Sequence, residues 1–305
     1  MARAAALDLS HLPTLAPACV PAGWLQRELA VALGADEATV VAVSGPDGSM
    51  GLLGAGAASA GVLVDVAGST DVVFATTGTY RSARETKTLV NAYVLPELWT
   101  IGGVTPATGL ALSWFSQLVG LGSVADLLKR HGREAMAVPI GSRGLVVDPA
   151  LSGPRFPYAG TAQSALVGLT LEHGAPDILH AIVEGIAFSV REILEMIRAA
   201  GHAIGEVRLV GGGFDRWSAQ LRADVWGVPV RIMAQREATL LGTAIAAAVA
   251  SGVFPSAAAA VDTLVTTEDV LVPSAARADA FDEAFFRWQR TKVALGARHL
   301  QTNPT

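Results

Sequence analysis

The sequence predicts a mixed α/β fold, one sheet with flanking helices, and three observations carry that expectation. Short strands around glycine turns fill the first hundred residues. From Pro176 onward, helices and strands alternate. One apolar strand, Val207–Val210, runs directly into Gly211–Gly212–Gly213 and then a helix start at Asp215–Arg216–Trp217. Strands first, then alternating helix and strand, is the order of a mixed sheet. The glycine corner also has chemical content. Such a turn lets backbone N–H groups approach a phosphate, and the helix N-terminus adds positive potential.

In chain order, Ala22–Leu33 is expected to be helical and to close at Gly34. Thr39–Ser44 is rich in β-branched residues and reads as a strand, broken by Gly45–Pro46–Asp47–Gly48. Met50–Ala58 is small and apolar and suits a helix. Gly61–Val66 and Asp71–Thr77 read as strands joined at Gly68–Ser69–Thr70. Gly103–Val119 has apolar residues at helical spacing, and Ser123–His131 adds a second helix. The apolar stretch Leu145–Leu151 leads into a loop at Ser152–Gly153–Pro154–Arg155. Pro176 opens the clearest helix: Ile178, Ile182, Ile186, Val190, Ile193 and Ile197 form one stripe, and Gly201 stops it. Then come strand Glu206–Val210, the glycine corner, helix Arg216–Trp226, strand Pro229–Met233, helix Glu237–Ser251, and a charged amphipathic helix over Ala276–Leu300. No stretch has the composition of a linker, and no internal repeat appears. One domain over residues 1–305 is expected, with a core at about 38–254 and a helical tail at 276–300.

Composition narrows the partners. Net charge is −5 with no basic cluster, which argues against nucleic acid and acidic membrane surfaces. Cys19 is the single cysteine, so no internal disulfide is possible, and a reducing, cytoplasmic location is expected. The most apolar run, Ala238–Phe254, is short for a membrane span and suits a buried helix. A homo-oligomer is left open.

Each candidate site residue has an ordinary reading beside its chemical one. A G-x-G-x-x-G fingerprint fails at the glycine corner, where Arg216 takes the third glycine's place, and at Gly54/Gly56, where Ser59 does; a Walker A sequence is missing. Gly211–Gly213 is therefore a phosphate turn or only a tight corner. Asp47 is a general base at a sheet edge or an Asp in a Pro-Asp-Gly turn. Gly68–Ser69–Thr70 offers hydroxyls and N–H groups to a terminal phosphate, or merely joins two strands. The six histidines lack metal-ligand spacing, so no metal-binding residue is assigned; His180 reads as packed or capping. No Gly-x-Ser-x-Gly elbow occurs.

Taken together, these turns resemble the C-terminal half of an FGGY-family carbohydrate kinase of the xylulokinase-like kind. Ser164–Leu169 followed by Asp177–Glu184 is similar to that family's C-terminal signature. Val210–Gly213, Trp217, Ala223–Val225, Gly227–Val230, Glu237–Ala238 and Leu241–Ala244 resemble its adenosine-binding block, and Leu151–Arg155 resembles its "LSGER" loop with Pro154 in place of glutamate. The resemblance runs from about Leu12 to the tail. It implies a ribonuclease-H-like half of the actin/hexokinase/Hsp70 superfold, and ATP with Mg²⁺ as cofactors. It implies transfer of the γ-phosphoryl group to a sugar or polyol hydroxyl, a reaction that relies on positioning and charge neutralisation. Asp47 would take the proton from that hydroxyl. Gly68, Ser69 and Thr70 would form the phosphate turn. Gly211, Gly212 and Gly213 would touch the ATP phosphates, with Asp215 and Trp217 flanking adenine. Complete members also carry an N-terminal domain with an Asp-x-Gly-Thr turn. That domain is expected to be absent here and supplied, if at all, by a separately encoded partner. Asp71 replaces the small residue usual after the phosphate turn. The alternative expectation is a non-catalytic nucleotide-binding or interaction module, or a truncated remnant of such a kinase.

Overall fold

A computed structural model describes Ser10 and residues 13–153 and 164–302. Strand β1 (Pro21–Trp24), helix α1 (Arg27–Leu33) and strand β2 (Val40–Ala42) form a small unit at the start, with β1 and β2 antiparallel. Ala22–Trp24 was expected to open the helix. It is instead extended because Trp24 pairs with Val40, and the helix begins only after Gln26. Gly34 ends α1 as expected, in the left-handed region at φ 63°.

Helix α2 (Asp47–Gly54) follows Pro46, so Asp47 occupies the first helical position rather than an open turn. Strands β3 (Leu63–Ala67) and β4 (Asp71–Thr77) then form the expected hairpin around Gly68–Thr70. Short helix α3 (Ala83–Thr86) leads to β5 (Leu89–Ala92) and β6 (Trp99–Val104). The helix read from Gly103 begins at Gly109, as α4 (Gly109–Leu118), because β6 is held between β4 and β5. Gly102 in β6 lies too close to the Val73 carbonyl and the Phe74 ring for any side chain. Next come α5 (Val124–Met136), β7 (Val146–Asp148), β8 (Ala165–Val167) and α6 (Ala175–Ala199). Part of the Ser152–Arg155 loop, including Pro154, lies outside the described residues.

The remaining elements are β9 (Val207–Gly211), α7 (Arg216–Trp226), β10 (Val230–Met233), α8 (Ala238–Ala250), α9 (Ala257–Leu264), β11 (Thr267–Leu271) and α10 (Ala278–Thr302). Among the described residues, seven strands make the main sheet in the order β11-β10-β9-β3-β4-β6-β5. The pairs β10/β9 and β9/β3 are parallel; the rest are antiparallel. The architecture is therefore the mixed α/β sheet with flanking helices that the sequence predicts.

One face of the sheet packs on α6. Leu179, Ile182, Ile186, Val190, Ile193 and Ile197 join Val73, Ile101, Leu209 and Val230 in one core, which also takes Phe281, Phe285 and Trp288 from α10. The core thus runs past residue 254. Trp288 Nε1 donates to the Val147 carbonyl at 2.8 Å, so its one polar group is satisfied where it is buried. The other face packs on α2 and α8 through Leu52, Val64, Phe74, Val210, Met233 and Ala238.

Helices α2 and α8 meet at glycine. A Cβ on Gly54 would collide with the Ala238 carbonyl, and one on Gly242 with the Met50 carbonyl. Two helix backbones touch only where both lack side chains. Gly242→Ala is therefore expected to cost about 1–3 kcal/mol, the usual penalty of overpacking against something that cannot move aside. Urea unfolding measures this, and a midpoint at or above that of the parent would contradict the packing described.

Candidate active site

Three backbone turns converge at the ends of β3 and β9. Ala67 pairs with Gly211 across the parallel ladder, and Gly213 N–H donates to the Ala67 carbonyl at 2.9 Å. A Cβ on Gly213 would stand 2.8 Å from the Gly68 carbonyl oxygen, so glycine is required for the corner to lie this close to the hairpin. Gly211 carries φ 99° and faces the Ala67 carbonyl with no room for a side chain. The third turn was not anticipated. Thr108 and Leu110 N–H groups donate to the Ser69 carbonyl at 2.9 and 3.2 Å, and Gly109 N–H to the Gly68 carbonyl at 3.0 Å. The start of α4 thereby clamps the outer side of the hairpin.

Within the hairpin, Gly68 N–H donates to the Thr70 carbonyl at 3.0 Å. Among the described residues, no group accepts from the N–H groups of Ser69, Thr70 or Gly212. Ser69 and Gly212 are exposed, and a Cβ on Gly212 would meet only open space. Free donors on glycine-rich turns beside a helix N-terminus are the physical requirement for holding a phosphate.

A cavity of about 120 Å³ opens beside the corner, lined in part by Gly109, Val183, Gly212, Gly213, Asp215 and Trp217. It is well under the ~300 Å³ typical of a pocket that encloses a whole ligand. Asp215 borders it, but its carboxylate is already engaged. Oδ1 accepts from Ser218 N–H at 2.8 Å while Ser218 Oγ accepts from Asp215 N–H at 3.0 Å, a reciprocal cap on α7. Trp217 is half-buried and stacks on His180 with ring centroids 6.0 Å apart.

His180 belongs to a buried network behind that wall. Ser142 Oγ lies 2.9 Å from His180 Nδ1 and donates to Glu184 Oε2 at 2.7 Å; Gly141 N–H donates to Glu184 Oε1 at 2.7 Å. Burial pushes the Glu184 carboxyl up to about 7, against the lowering pull of Ser142, Gly141, Arg287 and Arg277. Burial also pushes the His180 imidazole down to about 4, helped by Arg277 and opposed by Asp177. The two groups sit 3.8 Å apart as neutral partners near pH 6, not as an ion pair.

Under the hairpin lies a second buried network. Arg222 Nη1 donates to Asp65 Oδ2 at 2.6 Å and lies 2.9 Å from Asp71 Oδ2, with all three side chains sealed from solvent. Asp71, the departure noted in the sequence, thus shares one guanidinium with Asp65. Burial raises both carboxyls; Asp71 raises Asp65 further, and Arg222 opposes the shift in each.

Asp47 stands apart from the glycine turns. It lines a different cavity of about 300 Å³, with Gly48, Ser49, Val72, Phe74, Asn91 and Thr100. The two regions adjoin through β4, since Val72 follows the hairpin by two residues. Asp47 Oδ1 accepts from Gly48 N–H at 2.7 Å, and the side chain is exposed. The structure therefore brings Gly68–Thr70 together with Gly211–Gly213, and Gly212, Gly213, Asp215 and Trp217 around one cavity, while Asp47 faces another. Sequence reasoning missed Thr105, Thr108, Gly109, Ser142, Glu184 and Arg222. One signal was available, an acidic residue inside the apolar strand Leu63–Val64–Asp65–Val66–Ala67.

The fold and these turns define the class first. A solved xylulose kinase from Rhodospirillum rubrum superposes with a TM-score of 0.83 at 25% identity, over 95% of this chain and 59% of that one. One from Lactobacillus acidophilus, at 20% identity, shares the fold with a TM-score of 0.88. The chain thus has the fold of the corresponding part of these sugar kinases, which is actin/hexokinase-like. The profile of the FGGY family of carbohydrate kinases, C-terminal domain, matches residues 63–251, and the chain belongs to that family. The xylulose kinase of Bacillus subtilis is 32% identical over 77% of this chain and 47% of its own length; that of Staphylococcus epidermidis (strain ATCC 12228) is 27% identical over 86% and 53%. The chain spans about half the length of the curated relatives it matches. Among the described residues, no helix is long and apolar enough to cross a membrane, and no group of three or more His, Cys, Asp or Glu is placed to hold a metal.

The Glu184 network makes a pH prediction. Unfolded, a glutamate ionises near ~4.3, so the folded chain holds this proton more tightly. Its contribution is full below that value and is lost as pH rises through about 7. His180 acts with the opposite sign: its contribution is present above the unfolded value of ~6.5 and is lost as pH falls through about 4. Between pH 6.5 and 8, Glu184 passes through its midpoint while the His180 contribution, of opposite sign, levels off. Glu184→Gln should flatten the decline in melting temperature over that window relative to the parent. Parallel curves for the two proteins would show that Glu184 does not ionise there.

Proposed function

We propose that this chain is the nucleotide-binding half of a carbohydrate kinase, transferring the γ-phosphoryl group of ATP to a sugar or polyol hydroxyl. The observation that carries this reading is the convergence of three backbone turns around free N–H donors, in a chain of this family. The residues fit a nucleotide. Gly211–Gly213 and Gly68–Thr70 would hold the phosphates by backbone donors, and Trp217 would border adenine. The cavity is too small for a whole nucleotide, which leaves the phosphates to lie over the turns. Mg²⁺ would travel with the triphosphate and neutralise its charge. No protein carboxylates need gather for it.

Asp47 is proposed as the general base. Its exposed carboxylate at the start of α2 would accept the hydroxyl proton as the oxygen attacks phosphorus. The sugar would occupy the cavity beside Asp47, Asn91 and Thr100. The remaining sugar contacts and the opposite wall of the cleft would come from the domain that fills the other half of the relatives' length. The relatives named above phosphorylate xylulose according to their names; the sugar for this chain is assigned only as a class.

The separation of Asp47 from the glycine turns favours a second reading, a nucleotide-binding module without turnover. Two measurements divide the readings. Calorimetry with Mg-ATP tests the nucleotide wall, and sugar-dependent ADP release in the presence of a complementary N-terminal domain tests catalysis. Binding without turnover alongside every such domain would favour the module. In an active assembly, Asp47→Ala should lower turnover by ~10²–10⁴-fold, the usual share of acid–base catalysis, with ATP affinity near the parent's. A variant that turned over at the parent rate would remove Asp47 from the mechanism.

A further inference from the structure

The Asp65–Arg222–Asp71 cluster has no role in the chemistry above, yet it lies directly beneath the nucleotide turns. Asp65 is on β3 and Asp71 on β4, the two strands that the hairpin Gly68–Thr70 connects. Arg222 is on α7, the helix that leaves the corner Gly211–Gly213. One guanidinium nitrogen therefore ties both arms of the hairpin to the element that carries the corner. The tie continues to the third turn. Asp71 N–H donates to Thr105 Oγ1 at 2.8 Å, Thr105 N–H donates to the Asp71 carbonyl at 2.9 Å, and Thr105 Oγ1 lies 3.2 Å from Thr108 Oγ1. Thr108 N–H then reaches the Ser69 carbonyl.

Stability alone does not account for this arrangement. Two carboxylates facing one arginine leave a charge imbalance in a region sealed from water, and Asp65 Oδ1 has no hydrogen-bond partner among the described residues. Buried ion clusters contribute little over apolar side chains of the same volume, and strand β3 is otherwise apolar. What an ion cluster supplies, and leucine or valine does not, is a fixed direction and distance between the groups it joins.

We propose that Asp65, Asp71 and Arg222 are positioning residues: they hold the hairpin Gly68–Thr70 and the corner Gly211–Gly213 at the separation a nucleoside polyphosphate requires, and so govern phosphate affinity without touching the ligand. The ligand class rests on the kinase reading; the mechanical coupling of the turns does not.

The test uses the 305-residue chain and two variants. Arg222→Gln removes the shared cation. Asp71→Asn leaves a neutral Asp65–Arg222 pair and keeps the side-chain shape, so it serves if Arg222→Gln does not fold. Affinities for adenosine, AMP, ADP and Mg-ATP are measured by calorimetry, and amide exchange is followed at Gly68, Gly109, Leu110 and Gly213, whose N–H groups are hydrogen-bonded. The loss should grow with the number of phosphates, reaching ~10- to 100-fold for Mg-ATP, as expected when holding groups are displaced by about an ångström, with adenosine unchanged. Exchange should rise at all three turns together. An equal loss for adenosine and Mg-ATP, as a general weakening of the fold would give, overturns the proposal, as does an unchanged series. If the parent chain binds none of the four ligands, the kinase reading fails and the polyphosphate role with it. Exchange then still decides whether the cluster couples the turns: a concerted rise supports that coupling, and a rise at one turn only, or at none, refutes it.

Discussion

The parallel pairing of β3 with β9 is the seam on which the rest of the molecule depends. It joins a strand from the antiparallel first part of the chain to one from the alternating second part. Its last pair, Ala67 with Gly211, puts the hairpin and the glycine corner side by side. The approach is close enough that Gly213 donates to the Ala67 carbonyl and has no space for a side chain against Gly68. Turns from distant parts of the chain become one surface of free N–H groups only because this register is kept. A slip of one residue would exchange the faces of β9, putting Leu209 on the wrong side of the sheet and moving the corner off the hairpin. Apolar burial on both faces holds the register: Leu209 on the α6 side, Val210 on the α2 side.

Packing around the seam differs on its two faces, and the difference bears on function. On one face, α6 fills the space with large aliphatic side chains and α10 adds Phe281, Phe285 and Trp288. On the other, α2 lies against α8 at backbone distance through Gly54 and Gly242. The second arrangement leaves little freedom for α2 to slide or tilt. The same helix presents Asp47 at its first turn. A carboxylate on an exposed helix start is usually the most mobile part of its helix. Here the body of the helix, fixed by contact rather than by side-chain packing, determines where that start can be.

Much of this was legible in the chain. The stripe from Ile178 to Ile197 with Pro176 and Gly201 at its ends gave the long helix, because burial along nearly its whole length leaves a periodic record. The hairpin, the glycine corner and α7 were legible because turns that need glycine show it. The misread elements fail for identifiable reasons. Ala22–Trp24 has helix-forming neighbours but is drawn into a strand by its partner Val40. Gly103 reads as the start of a helix, yet it pairs with Val73 inside β6, beside Gly102, which lies against Phe74. At the candidate site, residue types on turns could be read locally. The Asp65–Arg222–Asp71 and Ser142–His180–Glu184 networks could not, since each joins residues far apart whose meeting only the fold decides.

On the kinase reading proposed above, these two networks also explain how an acidic chain would offer a site for a polyanion. Neither exposes a carboxylate on the surface of the turns, since Asp65, Asp71 and Glu184 are buried. Glu184 is neutral up to about pH 7 behind the Trp217 wall, and the negative charge of Asp65 and Asp71 is drawn onto Arg222 below the hairpin. What faces outward at the hairpin and the corner is therefore the partial positive charge of backbone N–H groups, while the start of α7 is already capped by the Asp215 carboxylate. On that reading the attraction for phosphate would arise from oriented dipoles rather than from lysine or arginine side chains. Dipoles act only at short range and in one direction, so such a site depends on geometry far more than a cluster of cations would. A surface made of turns requires rigid support beneath it, and the Asp65–Arg222–Asp71 cluster lies there.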